Sequence, residues 1–352
     1  MLTAPLNDLG WDDRWASQLG ELNDEQLIAG RVAAQHRGVY VLWTELGEAH
    51  AELAGRLRHD LEIGAELPAV GDWVAVRPHP SGATTIQAVL PRRTSFSRKE
   101  NLTGSTAQVL AANVDTVLVL TGLGEDLSAR RVERYLTMAW ESGAEPVVVL
   151  TKADLGDVSD ALRELQSVAI GADVHAISNV TGDGVEEIGG HLAPGKTAVL
   201  LGSSGVGKSS LINRLAGSDV MATREVAGDG TGRHTTTHRE LIRLPGGALV
   251  IDTPGLRELQ LWTAGDGFGA AFDDLEALAS ECRFSDCAHV REPGCAVLAA
   301  VDEGELELDR LRSWRKLQRE LEAIAARSDR RLREARKRRW KQHTRAIRKP
   351  KW

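Results

Sequence analysis

Gly202, Ser203, Ser204, Gly205, Val206, Gly207, Lys208 and Ser209 follow the apolar run 197–201 and precede Ser210 and the run 211–216. This order of residue types is suited to holding polyphosphate. The glycines let backbone N–H groups turn inward around an anion, and a helix starting near Lys208 adds the partial positive charge of its N-terminus. Lys208 would reach the β and γ phosphates, Ser209 would ligate magnesium, and Ser203, Ser204, Val206 and Ser210 complete the cradle. The bare pattern arises by chance in roughly one such sequence in a hundred, and its position between an apolar strand and a helix makes chance rarer still.

Asp252, Thr253, Pro254 and Gly255 follow a second apolar run about fifty residues later. At the end of a strand Asp252 can act on magnesium through a water, and the Gly255 N–H can sense a γ phosphate. The intervening residues 224–241 are rich in Gly and Thr, as in loops that order when a threonine engages magnesium. Thr235 and Thr236 are the candidates. Leu256, directly after Gly255, is aliphatic and cannot orient an attacking water, which predicts slow intrinsic turnover. His234 is the internal candidate for that task, against the reading of a bystander in a loop.

Thr151, Lys152, Ala153 and Asp154 stand about fifty residues upstream of the phosphate cradle. A carboxylate can accept from both N1–H and the exocyclic amine of guanine, whereas adenine offers an acceptor at N1. Asp154 therefore predicts guanine selection, with the Lys152 stem along the base. Ser178 and Asn179, after the next predicted strand, supply a second base loop.

Cys282, Cys287, His289 and Cys295 use every cysteine of the chain within fourteen residues. Three thiolates and one imidazole suit a closed tetrahedral zinc site whose role is folding.

These groups need elements to position them. At 352 residues the chain can form two or three domains. Short β-rich runs at 37–44, 51–58, 72–79 and 84–90, split by turn residues, predict a small barrel, OB-like or SH3-like. Residues 92–99 place Arg92, Arg93, Arg98 and Lys99 around Phe96, either a linker with solvated charge or an RNA contact. From about residue 109 strands alternate with helices, including a helix capped by Ser128 and closed by Gly143. That alternation predicts an α/β fold, a mostly parallel sheet with ligands at the carboxyl ends of its strands. The expected divisions are an extension over 1–29, the barrel over 30–100, the α/β domain over 105–265, a zinc-binding α-helical domain over 266–325 and a basic arm over 326–352.

The net charge of −7 conceals an asymmetry, for Arg310 to Trp352 hold 18 Lys or Arg against 4 Asp or Glu. That basic tail favours a polyanionic partner over a merely solvated helix face. Leu311, Trp314, Leu317, Leu321 and Ile324 recur within it at helical spacing, which predicts packing. No apolar run is long enough to span a bilayer, and the first residues lack the blocks of a secretion signal, so a cytoplasmic location is expected.

The order of base reader, second base loop, phosphate loop, threonine loop and Asp-Thr-Pro-Gly resembles the circularly permuted P-loop GTPases. With a barrel before it and a cysteine/histidine knot after it, the chain resembles the RsgA or YjeQ family of small-ribosomal-subunit-dependent GTPases over about residues 30 to 320. The resemblance implies hydrolysis of GTP with Mg2+, one structural Zn2+, stimulation by the small subunit and its rRNA, release of assembly factors late in maturation, no membrane, and a monomer. Two alternatives stand beside it: an RNA-binding assembly module whose nucleotide site switches without turnover, and an ATP-dependent kinase. One departure concerns Thr151, where GTPases generally have Asn, which predicts a weakened tether to the phosphate loop.

Overall fold

The computed structural model describes residues 5–36, 38–62, 67–79, 84–99, 107–221, 239–252, 268, 271–284 and 287–319. By its internal contacts the chain divides at Gln260/Leu261. In the first unit, strands β1 (Ile28–His36), β2 (Val39–Thr44) and β3 (Gly47–Leu53) form an antiparallel meander. Strands β4 (Trp73–Arg77) and β5 (Thr84–Val89) complete a barrel: β3 pairs parallel with β5, β5 antiparallel with β4, and β4 back onto β1. Closure leaves Val32, Tyr40, Leu42, Val74, Val76 and Ile86 facing one another, essentially unexposed.

A helix, Gly55–Glu62, stands between β3 and β4 with Leu57 packed on that core. The strand order together with this helix makes the barrel an OB fold rather than an SH3-like one. The predicted β-run 51–58 is thereby corrected. Only Ala51–Leu53 continue the strand, because beyond Gly55 the chain turns helical and Leu57 can reach the barrel core.

β1 was not legible in the sequence, because it is buried on both faces and its Ala, Gly and Arg31 residues give no period-two pattern. The Arg31 side chain is 2% exposed. It donates to the carbonyls of Leu9 (3.4 Å) and Asn113 (3.3 Å) and to Thr197 Oγ1 (2.9 Å), tying barrel, N-terminal segment and α/β sheet together. Burial lowers its pKa to about 10, so it stays charged at neutral pH. An N-terminal helix, Asp13–Gly20, capped by Asp12, packs Trp15 against Trp73. Arg93 pairs with Asp12 and lies over the Trp15 ring, Arg92 grips the buried Asp72 with two bonds of 2.7 Å, and Phe96 is buried. Arg92 is therefore a structural ion-pair partner rather than solvated linker charge, whereas Arg93 keeps an exposed surface beside its ion pair; the side chains of Arg98 and Lys99 lie outside the described residues.

β6 (Ser95–Lys99) and β7 (Ala107–Ala112) form a ribbon leading into β8 (Thr116–Gly122), β9 (Glu145–Thr151), β10 (Asp173–Ala176), β11 (Thr197–Gly202), β12 (Glu240–Arg243) and β13 (Leu249–Asp252). In space the sheet runs β10-β9-β8-β11-β13-β12, parallel except for β12. Chain and spatial order reverse between β8 and β11, a switch point of the kind that opens a ligand crevice at the carboxyl ends. The expected helix between β8 and β9 spans Ala129–Ser142, with Ser128 accepting from the Arg131 N–H and Gly143 left-handed. Such a cap stabilises a helix by about 1 kcal/mol.

Among the described residues, the regular structure of the second unit is helical: Asp273–Ser280, Ala296–Glu303 and 308–319. Leu311, Trp314 and Leu317 are buried, as packing predicts, while Leu321 and Ile324 lie outside the described residues. Arg310 is bound to Asp274.

Candidate functional site

The phosphate-loop residues begin where β11 ends. Gly202 is held with φ 153°, and a Cβ there would lie 2.7 Å from the Leu120 carbonyl oxygen on β8. Gly207 has φ 103°, and a Cβ would meet the Asn179 amide at 2.8 Å. Neither position accepts a side chain without displacing backbone or the neighbouring loop. Val206 is wholly buried, and Lys208, Ser209 and Ser210 form the first turn of the helix Lys208–Ala216. That helix packs Leu211 and Ile212 into the sheet's core, which aims its N-terminus at the crevice. Lys208 Nζ donates to the carbonyls of Gly202 (2.8 Å) and Ser203 (2.5 Å).

Strand pairing brings the residues expected to read the base to the same edge. Leu120 of β8 faces Gly202 of β11, and Gly122 of β8 faces Thr151 of β9. The fully buried Thr151 hydroxyl donates to the Val206 carbonyl at 2.7 Å, and Asn179 Nδ2 donates to the Gly207 carbonyl at 3.1 Å. The weakened tether predicted at Thr151 is thus corrected, since a short hydroxyl suffices where β9 ends directly against the loop. Replacing Thr151 with Val would leave a buried carbonyl unpaired at a cost of about 1–2 kcal/mol. The expected result is roughly tenfold weaker nucleotide binding by equilibrium titration with little change in specificity; unchanged affinity would remove the tether's importance.

Asp154 Oδ1 accepts from Ser178 Oγ at 2.6 Å, and Ser178 Oγ accepts from the N–H groups of Val180 and Thr181 at 3.1 Å. Ser178 therefore aims the carboxylate. The Ala153 N–H bonds the Ile177 carbonyl at 3.0 Å, stitching the two base loops together. Lys152 is left-handed at φ 62°, a conformation costing a non-glycine residue about 1 kcal/mol and held only where neighbours over-determine it.

Asp126, after β8, escaped the sequence reading. Its carboxylate accepts from Ser203 Oγ (2.6 and 2.7 Å) and from Arg131 (2.6 Å). Burial alone would raise its pKa, but the hydrogen bonds from Ser203 and Arg131 and the Arg131 charge outweigh it and hold the carboxyl below its ordinary value. The only signal available was its position after an apolar strand, and nothing in the sequence places that strand beside β11.

Asp252 closes β13, beside β11. The Ser209 hydroxyl, in the first turn of the helix that follows β11, and the Asp252 carboxylate, at the end of β13, are oxygen donors with the chemistry magnesium requires. His234, Thr235, Thr236, Gly255 and Leu256 lie outside the described residues.

In the second unit the cysteine and histidine ligand atoms all fall within 4.8 Å of one another. Cys282 and Cys295 Sγ are 3.8 Å apart, and His289 Nδ1 lies 3.5 and 3.4 Å from them. Zinc–sulfur bonds of about 2.3 Å in a tetrahedron imply sulfur separations of roughly 3.8 Å, so the donors fit the ion. Burial lowers the His289 pKa and favours the neutral ligand form. Burial raises the Cys282 thiol, but the Val297 and Ala296 N–H groups, at a helix start, outweigh it and hold it low. Burial and the adjacent Cys295 and Cys282 push Cys287 up to about 11. At neutral pH that thiol is protonated until a dication arrives. Adding zinc to metal-free protein should therefore acidify a weakly buffered solution and protect the amides of residues 282–295 from exchange; binding without proton release would exclude thiolate ligation.

The RsgA GTPase family model matches residues 89–262, and a second, described as a 50S ribosome-binding GTPase, matches 197–332. A small ribosomal subunit biogenesis GTPase RsgA of Opitutus terrae is 50% identical over 348 residues, covering 96% of this chain and 95% of its own. One from Streptomyces avermitilis is 48% identical over 346 residues, 96% of this chain and 91% of its own. Among solved structures, YjeQ from Thermotoga maritima is similar with a TM-score of 0.64 and 30% identity, covering 84% of this chain and 98% of its own. YloQ, a circularly permuted GTPase, is similar at 0.62 and 25% identity, covering 85% and 96%.

Proposed function

The chain belongs to the RsgA GTPase family, and on that premise we propose that it hydrolyses GTP to GDP and phosphate during biogenesis of the small ribosomal subunit. The observation that carries this reading is the tethering of the base loops to the phosphate loop by Thr151 and Asn179, which unites one nucleotide site from segments in permuted order.

In that site Asp154 reads guanine and the Lys152 stem lies along the base. The amides of 202–210 hold the phosphates. Lys208 exchanges its own loop's carbonyls for the β and γ oxygens, neutralising charge that grows as water attacks the γ phosphorus and its bond to the bridging oxygen breaks. Ser209 and Asp252, with Thr235 or Thr236, would hold Mg2+, which supplies further neutralisation. Gly255 would sense the γ phosphate. His234 would orient the water that Leu256 cannot. Cys282, Cys287, His289 and Cys295 would hold Zn2+ as a structural ion.

The barrel, the zinc unit and the basic arm would face rRNA, held by salt-sensitive phosphate contacts. Small-subunit relatives span nearly the whole chain, whereas the large-subunit description reaches only residues 197–332. Phosphate release measured alone, with small subunits and with large subunits tests the reading. Acceleration by small subunits alone is expected. No acceleration by either would favour the non-turning RNA-binding switch, the reading toward which Leu256 points.

A further inference from the structure

Away from the nucleotide crevice, the free edge of the sheet carries a second group of metal-ligating side chains. Asp173 and His175 lie on β10, Glu187 on the helix Val185–Gly190, and His191 directly after that helix. His175 Nε2 and His191 Nε2 face each other at 2.9 Å with ring centroids 4.9 Å apart, and Asp173 Oδ2 lies 3.9 Å from His191 Nε2. The ligand atoms of Asp173, His175 and His191 all fall within 4.8 Å of one another.

The outer partner decides the chemistry. His175 Nδ1 is 2.9 Å from Glu187 Oε2. An ionised carboxylate only accepts, so Nδ1 carries the proton and Nε2 presents its lone pair toward His191. A carboxylate behind a histidine, fixing its tautomer and ring orientation, is the arrangement that supports metal-bound imidazoles.

We propose that Asp173, His175 and His191 form a second divalent transition-metal site, of borderline nitrogen and oxygen donors, distinct from the cysteine site. Metal–nitrogen bonds of about 2.0–2.1 Å in a tetrahedron need the two imidazole nitrogens roughly 3.3 Å apart, a few tenths of an ångström beyond the present separation and within reach of side-chain rotation. Both histidines keep about a fifth to a quarter of their side-chain surface exposed and Asp173 most of its own, so an ion can enter and retain a water ligand. The loop containing Ser178 and Asn179 and the helix Val185–Gly190 both lie between the two histidines, so an ion there would tie the strand before that loop to the end of the helix after it.

The test is zinc stoichiometry of the full chain by equilibrium dialysis followed by metal analysis, with no nucleotide present. Two ions per chain are expected in the wild type and one in His191→Gln and in His175→Gln. Cobalt gives an independent readout: the second equivalent should add d–d absorption without further thiolate charge transfer, and that increment should vanish in either variant. One ion in the wild type at saturating zinc, or two in both variants, would overturn the site and leave the pair as a neutral His191-to-His175 hydrogen bond. Should the variants fail to fold, the wild-type stoichiometry and cobalt increments decide alone.

Discussion

Asp154→Asn is expected to weaken GTP binding by about a hundredfold or more while strengthening binding of xanthosine triphosphate. Asp154 would accept from two guanine donors, and each bond to a charged acceptor is worth about 1.5–3 kcal/mol. The variant keeps an oxygen for Ser178, which donates at 2.6 Å, so the loop should hold its shape. Its new amide N–H instead meets a guanine donor face, which is repulsive, whereas the C2 carbonyl of xanthine accepts from it. Competition binding against GTP, ATP and xanthosine triphosphate would show the switch. Tight ATP binding by the wild type, or GTP preference surviving in Asp154→Asn, would remove Asp154 as base reader and reopen the kinase reading.

Lys208→Ala is expected to slow phosphate release by roughly a hundred- to a thousandfold, with and without small subunits, the scale found when a positioned charge-stabilising donor is lost. Folding should survive. Lys208 is half-buried; of the two carbonyls that its ammonium contacts, that of Gly202 ends the buried strand β11 and that of Ser203, itself half-buried, lies in the loop after it, and truncation leaves room for water beside them. Far-UV dichroism and the thermal midpoint should match the wild type, so that lost turnover reports chemistry. A variant that retained turnover within a few fold would mean that charge neutralisation comes from elsewhere.

The residues proposed to handle phosphate were legible because their chemistry is local. Backbone amides turned inward need glycine at particular φ values, and Gly202 and Gly207 have both the dihedrals and the crowded neighbours that require it. The cysteine/histidine cluster was equally legible, since four donors close in sequence meet within 4.8 Å of one another. Alternating apolar runs announced the α/β sheet, and the helix with Ser128 and Gly143 as its caps lies where capping chemistry put it.

What remained hidden depends on which strands become neighbours. Apolar periodicity says that β8, β9 and β11 are buried strands, but it does not say that β8 inserts between the other two. That insertion makes Thr151 a tether at 2.7 Å rather than a defective asparagine, and sets Asp126 against Ser203. The barrel class was undecided for the same reason. The parallel pairing of β3 with β5 and the return of β4 to β1 are long-range hydrogen bonds between backbones, carrying no residue signature of their own. Arg31 carried no signal in the sequence, and burial against two carbonyls and a threonine hydroxyl from three segments turned it into a joint. The sequence by itself thus determined which chemistry this protein carries, because catalytic and ligand groups are properties of residue type and short spacing. The tertiary structure alone decided how residues 151–154 meet the loop 202–209 about fifty residues later, because strand order in space is set by packing the whole sheet.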